Sequence, residues 1–246
     1  MTKEVFSTGF KNIDEFLGGG LKVGNEFVVV GSRAGHMKSF VAEKIATVAW
    51  NAGYNVGYFT AELSREDLMN RCNTLETHTK LDYVDNKYQD YLDHLKKQAN
   101  TFSITTFREI GPEITVEKIK EWVEQNNIKI LILDDFYYLS REFNFQLPAT
   151  LSAYRNLATT LDITVVVTMQ LNRTYEDTDN PSHLLANIHI PACVLICNKV
   201  SDKDLNIIAI SKTPVENTPR KKFIYNVNIQ TGVFDYVGES EVMEAV

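Results

Sequence analysis

The sequence predicts an α/β domain built on a mostly parallel, twisted sheet flanked by helices, with extra strands along one edge. Three observations predict it. Strand-like and helix-like segments alternate through the first two-thirds of the chain, the signature of βαβ units. The run KILIL at Lys129–Leu133 is almost wholly apolar, as expected of a strand covered on both faces. The last third is all strand, which suits the edge of a sheet rather than its middle. At 246 residues and 44% hydrophobic, the chain can bury a full core, and no internal repeat or linker divides it. A single domain over 1–246 is therefore expected, with 1–24 as a lead-in and 239–246 as a flexible tail.

The elements follow in order. Val28–Gly31 reads as a strand and Ser39–Ala52 as a helix, joined by a glycine-containing turn. NVGYFT at Asn55–Thr60 is a second strand. Ser64 caps the helix REDLMNRCNTLETHT, with Glu66 and Asp67 in its first turn. A polar helix is expected over Tyr83–Asn100 and a short strand over Phe102–Thr106. Thr115 caps VEKIKEWVEQNN, whose Val116, Ile119 and Val123 share one face. After KILIL come a helix over Thr150–Leu161 and the strand TVVVT at Thr164–Thr168. Cys193–Cys197, Leu205–Ser211 and Lys222–Asn228 complete the strands.

Composition narrows the function classes. No run of about 18 apolar residues is present and the N-terminus lacks the apolar stretch of a secretion signal, so no membrane role and a cytoplasmic setting are expected. Cys72, Cys193 and Cys197 are odd in number and read as buried free thiols in a reducing compartment. A net charge of −7 argues against a surface coated in positive potential for DNA, while leaving room for a small basic path inside an assembly.

The stretch Gly31-Ser32-Arg33-Ala34-Gly35-His36-Met37-Lys38-Ser39 carries the chemistry. A phosphate-binding loop is written GxxxxGK[ST]; here Ser32 and Met37 stand where its glycines belong, and glycines stand at 31 and 35. The requirement is a set of backbone N–H groups converging on phosphate oxygens at a helix N-terminus. Lys38 would neutralise the β- and γ-phosphates of ATP, and the Ser39 hydroxyl would hold Mg²⁺. If position 37 needs positive φ, its methionine costs about 1–2 kcal/mol, which a large domain tolerates. The alternative is a strand–turn–helix junction with an incidental Lys-Ser.

The neighbouring segments bear on that choice. Thr8-Gly-Phe-Lys-Asn-Ile-Asp14, TAELSREDLMNR, ILILDDFYYLS and TVVVTMQLNR occur in an order that resembles the RecA-like motor domain of DnaB-type replicative helicases, in the wider group that includes RadA and KaiC. The resemblance runs from about Thr8 to Tyr236. Phage recombinases of the UvsX kind also carry a bulky residue before the Lys-Ser, which hints at a phage-encoded protein in a host cytoplasm. The resemblance implies that Glu62 is the catalytic glutamate and that Asp134 is the acid that reaches Mg²⁺ through water. It implies that Gln170 senses the γ-phosphate, coupled to the next loop by Asn172 and Arg173. Both acids fall after strands, where ligands sit in open parallel sheets.

It also implies sites completed by a neighbouring subunit through a Lys-x-Arg. Lys212 takes the lysine position, but Pro214 falls where the arginine finger belongs; Arg220, Lys221 and Lys222 are substitutes or simply a solvated basic cluster. Acidic residues usual before the strand at 193 are replaced by His189 and Pro191. Two loops are expected to meet single-stranded DNA. Ser140–Ala149 offers Arg141 with Phe143 and Phe145 as stacking rings, and 173–188 offers Arg173 and Tyr175 beside the repelling Glu176, Asp177 and Asp179. The expected protein is a homo-oligomer, a ring of six or a filament, hydrolysing ATP with Mg²⁺ as a helicase motor. A recombinase and an ATP-binding regulator of KaiC type stay open. About 30 residues precede the loop, so the N-terminal domain of replicative helicases is expected from a replication or recombination partner.

Overall fold

The structure, a computed structural model, describes residues 4–80, 93, 97–111, 114–171, 190–199, 205–212 and 221–241. Among the described residues, nine strands form one sheet. From one edge to the other they are β11 (Val233–Glu241), β10 (Lys221–Asn228), β9 (Leu205–Lys212), β8 (Cys193–Lys199), β3 (Glu26–Ser32), β7 (Thr164–Gln170), β6 (Ile130–Asp134), β4 (Val56–Thr60) and β5 (Phe102–Thr106). The strands from β8 to β5 pair in parallel, and β9, β10 and β11 extend the sheet antiparallel. A small antiparallel pair, β1 (Val5–Phe6) and β2 (Leu21–Lys22), stands apart.

The apolar runs split between two cores by the period of two that strands impose. Val28 and Val30 of β3, Ile130 and Ile132 of β6, and Val166 of β7 pack on the face carrying α2 (Lys38–Asn51) and α3 (Arg65–Thr77). Phe27, Val29, Leu131, Leu133, Val165 and Val167 pack on the other face. That face also carries α5 (Val116–Gln125) and α7 (Leu147–Thr160), with two short helices, α4 (Phe107–Ile110) and α6 (Phe136–Leu139). Parallel strands buried on both sides have no polar face to show, which is why Ile130–Leu133 and Val165–Val167 are apolar residue after residue.

The lead-in is held by one carboxylate. After α1 (Lys11–Phe16) begins, Asp14 accepts from Thr8 N at 2.8 Å, Thr8 Oγ1 at 2.6 Å and Ser7 Oγ at 2.5 Å. Phe10 then packs edge-on against Tyr225 and Phe234, so the TGF…D segment pins the N-terminus to the antiparallel edge.

Several boundaries differ from expectation. α7 starts at Leu147 rather than at 150, because Pro148 in its first turn suits a helix start. α3 ends at Thr77, where His78 turns left-handed. The helix expected over 83–100 lies almost wholly outside the described residues. Its last four, 97–100, are turn and bend, with Asn100 Nδ2 donating to Trp50 O and Tyr54 O. The last strand runs to Glu241, three residues into the expected tail.

Candidate active site

The register brings the candidate residues to one edge of the sheet. Ser32 pairs with Gln170, and Thr60 with Asp134, so β3, β7, β4 and β6 all end together at their carboxyl ends. The loop after β3 turns back on itself, with His36 N donating to Arg33 O at 3.2 Å and Ser32 Oγ to Arg33 O at 2.7 Å. Gly35 takes φ +75, and a Cβ there would meet nothing, so dihedral freedom and not space calls for glycine. Met37 takes φ 68 and ψ 13 immediately before α2, the left-handed position the loop pattern reserves for glycine. The strain of about 1–2 kcal/mol is offset by burial, since the Met37 side chain joins the core. His36 Nδ1 accepts from Lys199 N at 3.0 Å. Burial, with Arg33 and Lys199 nearby, holds its pKa below the usual histidine value, which keeps an acceptor nitrogen available.

Two buried acids face the start of α2. Lys38 Nζ lies 3.5 Å from Asp135 Oδ2, with both side chains largely buried. Asp135 also caps α6, accepting from Tyr137 N at 2.9 Å. Asp134 collects three hydroxyls: Ser39 Oγ at 3.2 Å and Thr168 Oγ1 on Oδ1, and Tyr58 OH at 3.1 Å on Oδ2. A hydroxyl and a carboxylate so close suit Mg²⁺, which takes one or two protein ligands and completes its shell with phosphates and water. Glu62 and Gln170 are exposed at the same edge, Glu62 between β4 and α3. Burial pushes the three free thiols up to about 12, so they are inert core groups as expected.

A model of the DnaB-like helicase C terminal domain matches residues 6–189, well over half of the chain. The chain belongs to that family. Among solved structures, this DnaB-like domain is similar to one solved as an ATPase domain, with a TM-score of 0.75 and 15% identity over 96% of this chain and 93% of that one. It is also similar to a DnaB-like replicative helicase whose structure includes its interactions with primase. There the TM-score is 0.76 and the identity 15%, over 96% of this chain and 62% of that one. At such identity these likenesses establish the fold, a RecA-like α/β sheet. Curated protein sequences give no match.

Other expected site residues of the DnaB-like domain lie apart. Lys212 pairs with Val194, which pairs with Val29, three residues before Ser32. Lys212 therefore sits about 10 Å down the sheet from its own loop, toward the opposite edge. Burial and the nearby Arg155 lower its pKa. Lys221 is engaged by Glu239 and by the Phe16 ring. Arg141 stacks over Tyr138 at 5.0 Å and Phe107 at 5.6 Å while staying exposed, and Phe143 is half-buried in the 3-10 turn Ser140–Phe143. Phe145, at φ 60, is 54% exposed, with its ring 5.2 Å from that of the 57% exposed Tyr137. Arg173, Tyr175, Asn172, Glu176, Asp177, Asp179, His189, Pro214 and Arg220 lie outside the described residues.

Sequence reasoning missed Tyr58, Thr168, Tyr137 and Glu43, and it gave no role to Arg71, the last residue of TAELSREDLMNR. Tyr137 had a signal: Phe136 and Leu139, three apart, are the buried side of α6, which leaves Tyr137 outward. Glu43 had none, because a glutamate in a helix ordinarily reads as its solvent face.

Proposed function

We propose that this domain is the motor of a DnaB-like replicative helicase, binding ATP with Mg²⁺ and coupling its hydrolysis to movement along single-stranded DNA. The observation that carries the reading is the convergence of Lys38, Ser39, Asp134 and Asp135 at a left-handed turn opening a helix. In this reading the N–H groups of residues 31–39 cradle the triphosphate at the N-terminus of α2. Lys38 leaves Asp135 for the β- and γ-phosphates, and Asp135 stays anchored by the amide of Tyr137. Ser39 directly, and Asp134 through water, would hold Mg²⁺, which would supply neutralisation of the charge that develops on the phosphates.

Glu62 orients the attacking water, and Gln170 reads the γ-phosphate into the loop that follows β7. Lys212, far from its own loop, serves the site of a neighbouring subunit in a homo-oligomer, a ring of six by the family pattern. Tyr137 and Phe145, with Arg141 beside them and Arg173 and Tyr175 on the second loop, contact single-stranded DNA by stacking and charge. Partner proteins of replication complete the assembly.

The test is phosphate release with and without single-stranded DNA, in wild type and Glu62→Gln, alongside unwinding of a forked duplex. DNA-stimulated release that Glu62→Gln abolishes, together with unwinding, is the expected result. Release that no single strand stimulates would overturn the motor reading in favour of an ATP-binding regulator, and filaments without unwinding would favour a recombinase.

A further inference from the structure

Glu43 lies four residues after Ser39 on α2 and is fully buried. Its Oε1 lies 3.3 Å from Arg71 Nη1 of α3, and its Oε2 has no hydrogen-bond partner among the described residues. The Arg71 guanidinium also lies over the Phe40 ring, 5.3 Å from its centroid. Phe40, Glu43 and Thr47 sit at helical spacing on one stripe of α2, and Thr47 faces Cys72, the residue after Arg71. One arginine thus grips two successive positions of the phosphate-loop helix, by charge and by ring. Apolar residues of the same volume would fill this seam more stably, because a buried ion pair rarely outweighs its desolvation. The seam's chemistry therefore calls for a reason other than stability.

That reason follows from what each helix carries. α2 begins with Lys38 and Ser39. α3 begins three residues after Glu62, and the intervening turn is pinned at both ends. Leu63 N donates to Thr60 Oγ1 at 3.0 Å, Ala61 N donates to Asp134 O at 2.7 Å, and Ser64 caps α3 through Asp67 N at 3.0 Å. A slide or tilt of α3 on α2 moves Glu62 against the phosphate side of the site. We infer that Glu43 and Arg71 form a positioning pair that fixes Glu62 relative to Lys38 and Ser39. This rests on the proposed role of Glu62 as the water-orienting group. The pair does not touch nucleotide; it acts through the α2–α3 seam, so its loss should lower turnover and spare nucleotide affinity. A misplacement of about 1 Å at a reacting group can lower a rate about 100-fold.

The experiment measures DNA-stimulated kcat, KM for ATP, the Kd of a slowly hydrolysed ATP analogue with Mg²⁺, and the melting temperature. It compares wild type, Arg71→Ala, Arg71→Lys, Glu43→Gln, the double variant Glu43→Gln/Arg71→Ala, and Glu62→Gln. Arg71→Ala is expected to lower kcat about 10- to 100-fold with Kd within about threefold of wild type. Arg71→Lys and Glu43→Gln, which keep part of the contact and protect against a simple failure to fold, fall in between. The double variant is expected to be no worse than Arg71→Ala, because the two residues act as one unit. Wild-type kcat in folded Arg71→Ala would overturn the inference. So would a joint loss of kcat and affinity that tracks melting temperature across the series, because that marks a merely structural pair. Undiminished turnover in Glu62→Gln would instead sink the parent reading, whatever Arg71 does.

Discussion

Replacing Glu43 by glutamine should make the stability difference between variant and wild type depend on pH, with a sign set by burial. Burial pushes the Glu43 carboxyl up, from 4.5 to about 7. The Arg71 charge opposes the rise, Asp134 adds to it, and the Arg71 hydrogen bond and Lys38 oppose it in smaller measure. Between pH 4.5 and 7 the folded protein therefore holds a proton that the unfolded chain has released. Stability from this group is largest at or below pH 4.5, falls as pH rises through that window, and is lost above about pH 7. At about 1.4 kcal/mol per tenfold change in acidity, the rise corresponds to about 3 kcal/mol. Glutamine resembles the protonated acid and carries no such dependence. In urea titrations with EDTA and no nucleotide, followed by Trp50 and Trp122 fluorescence, Glu43→Gln should gain about 3 kcal/mol on wild type between about pH 4.5 and 8. A difference that stays flat with pH would refute the reasoning. So would wild type gaining on the variant toward about pH 8, since that would mean the ion pair with Arg71 outweighs desolvation.

Other outcomes follow from the same contacts. Asp14→Ala removes the acceptor for Ser7 and Thr8, and should lower stability by about 2–4 kcal/mol in denaturant titration while leaving nucleotide affinity unchanged. Tyr137→Ala and Phe145→Ala should each weaken single-stranded DNA binding by about 1–3 kcal/mol in fluorescence anisotropy, without altering DNA-independent phosphate release. Cys72, Cys193 and Cys197 should resist an aromatic disulfide reagent at about pH 8 in the native state and react together on unfolding; fast labelling of any one would contradict their burial.

Much of the fold was legible because parallel strands covered on both faces have no polar alternation to blur them. KILIL became β6, shifted by one residue so that it ends on Asp134, and TVVVT became β7, longer by Met169 and Gln170; Asp134 and Gln170, at the carboxyl ends, are site candidates. The strain at Met37 was legible as well, because the loop pattern reserves that position for a residue with positive φ. Edge elements were harder. β11 pairs on one side with β10, and its mostly apolar half, Val233–Val237, runs on into Gly238 and Glu239, so the hydrophobic pattern stops before the strand does. Distances across the sheet were illegible for another reason. Lys212 could be matched to a motif by spacing, but the antiparallel run of β9 decides which end of the sheet it reaches. The burial of Glu43 depends on how α3 docks, a contact 28 residues away in sequence that local periodicity does not encode.

The central claim is that the turn before α2 and the two acids opposite it form a working triphosphate site despite Ser32 and Met37. Isothermal titration with a slowly hydrolysed ATP analogue and Mg²⁺, comparing wild type with Lys38→Ala, tests it most directly. Magnesium-dependent binding by wild type, weakened at least about 100-fold in a folded Lys38→Ala variant, is the predicted result, since a lost buried charge contact to phosphate is worth about 3 kcal/mol or more. Wild type that binds no nucleotide, or Lys38→Ala that binds as tightly as wild type, would contradict the account.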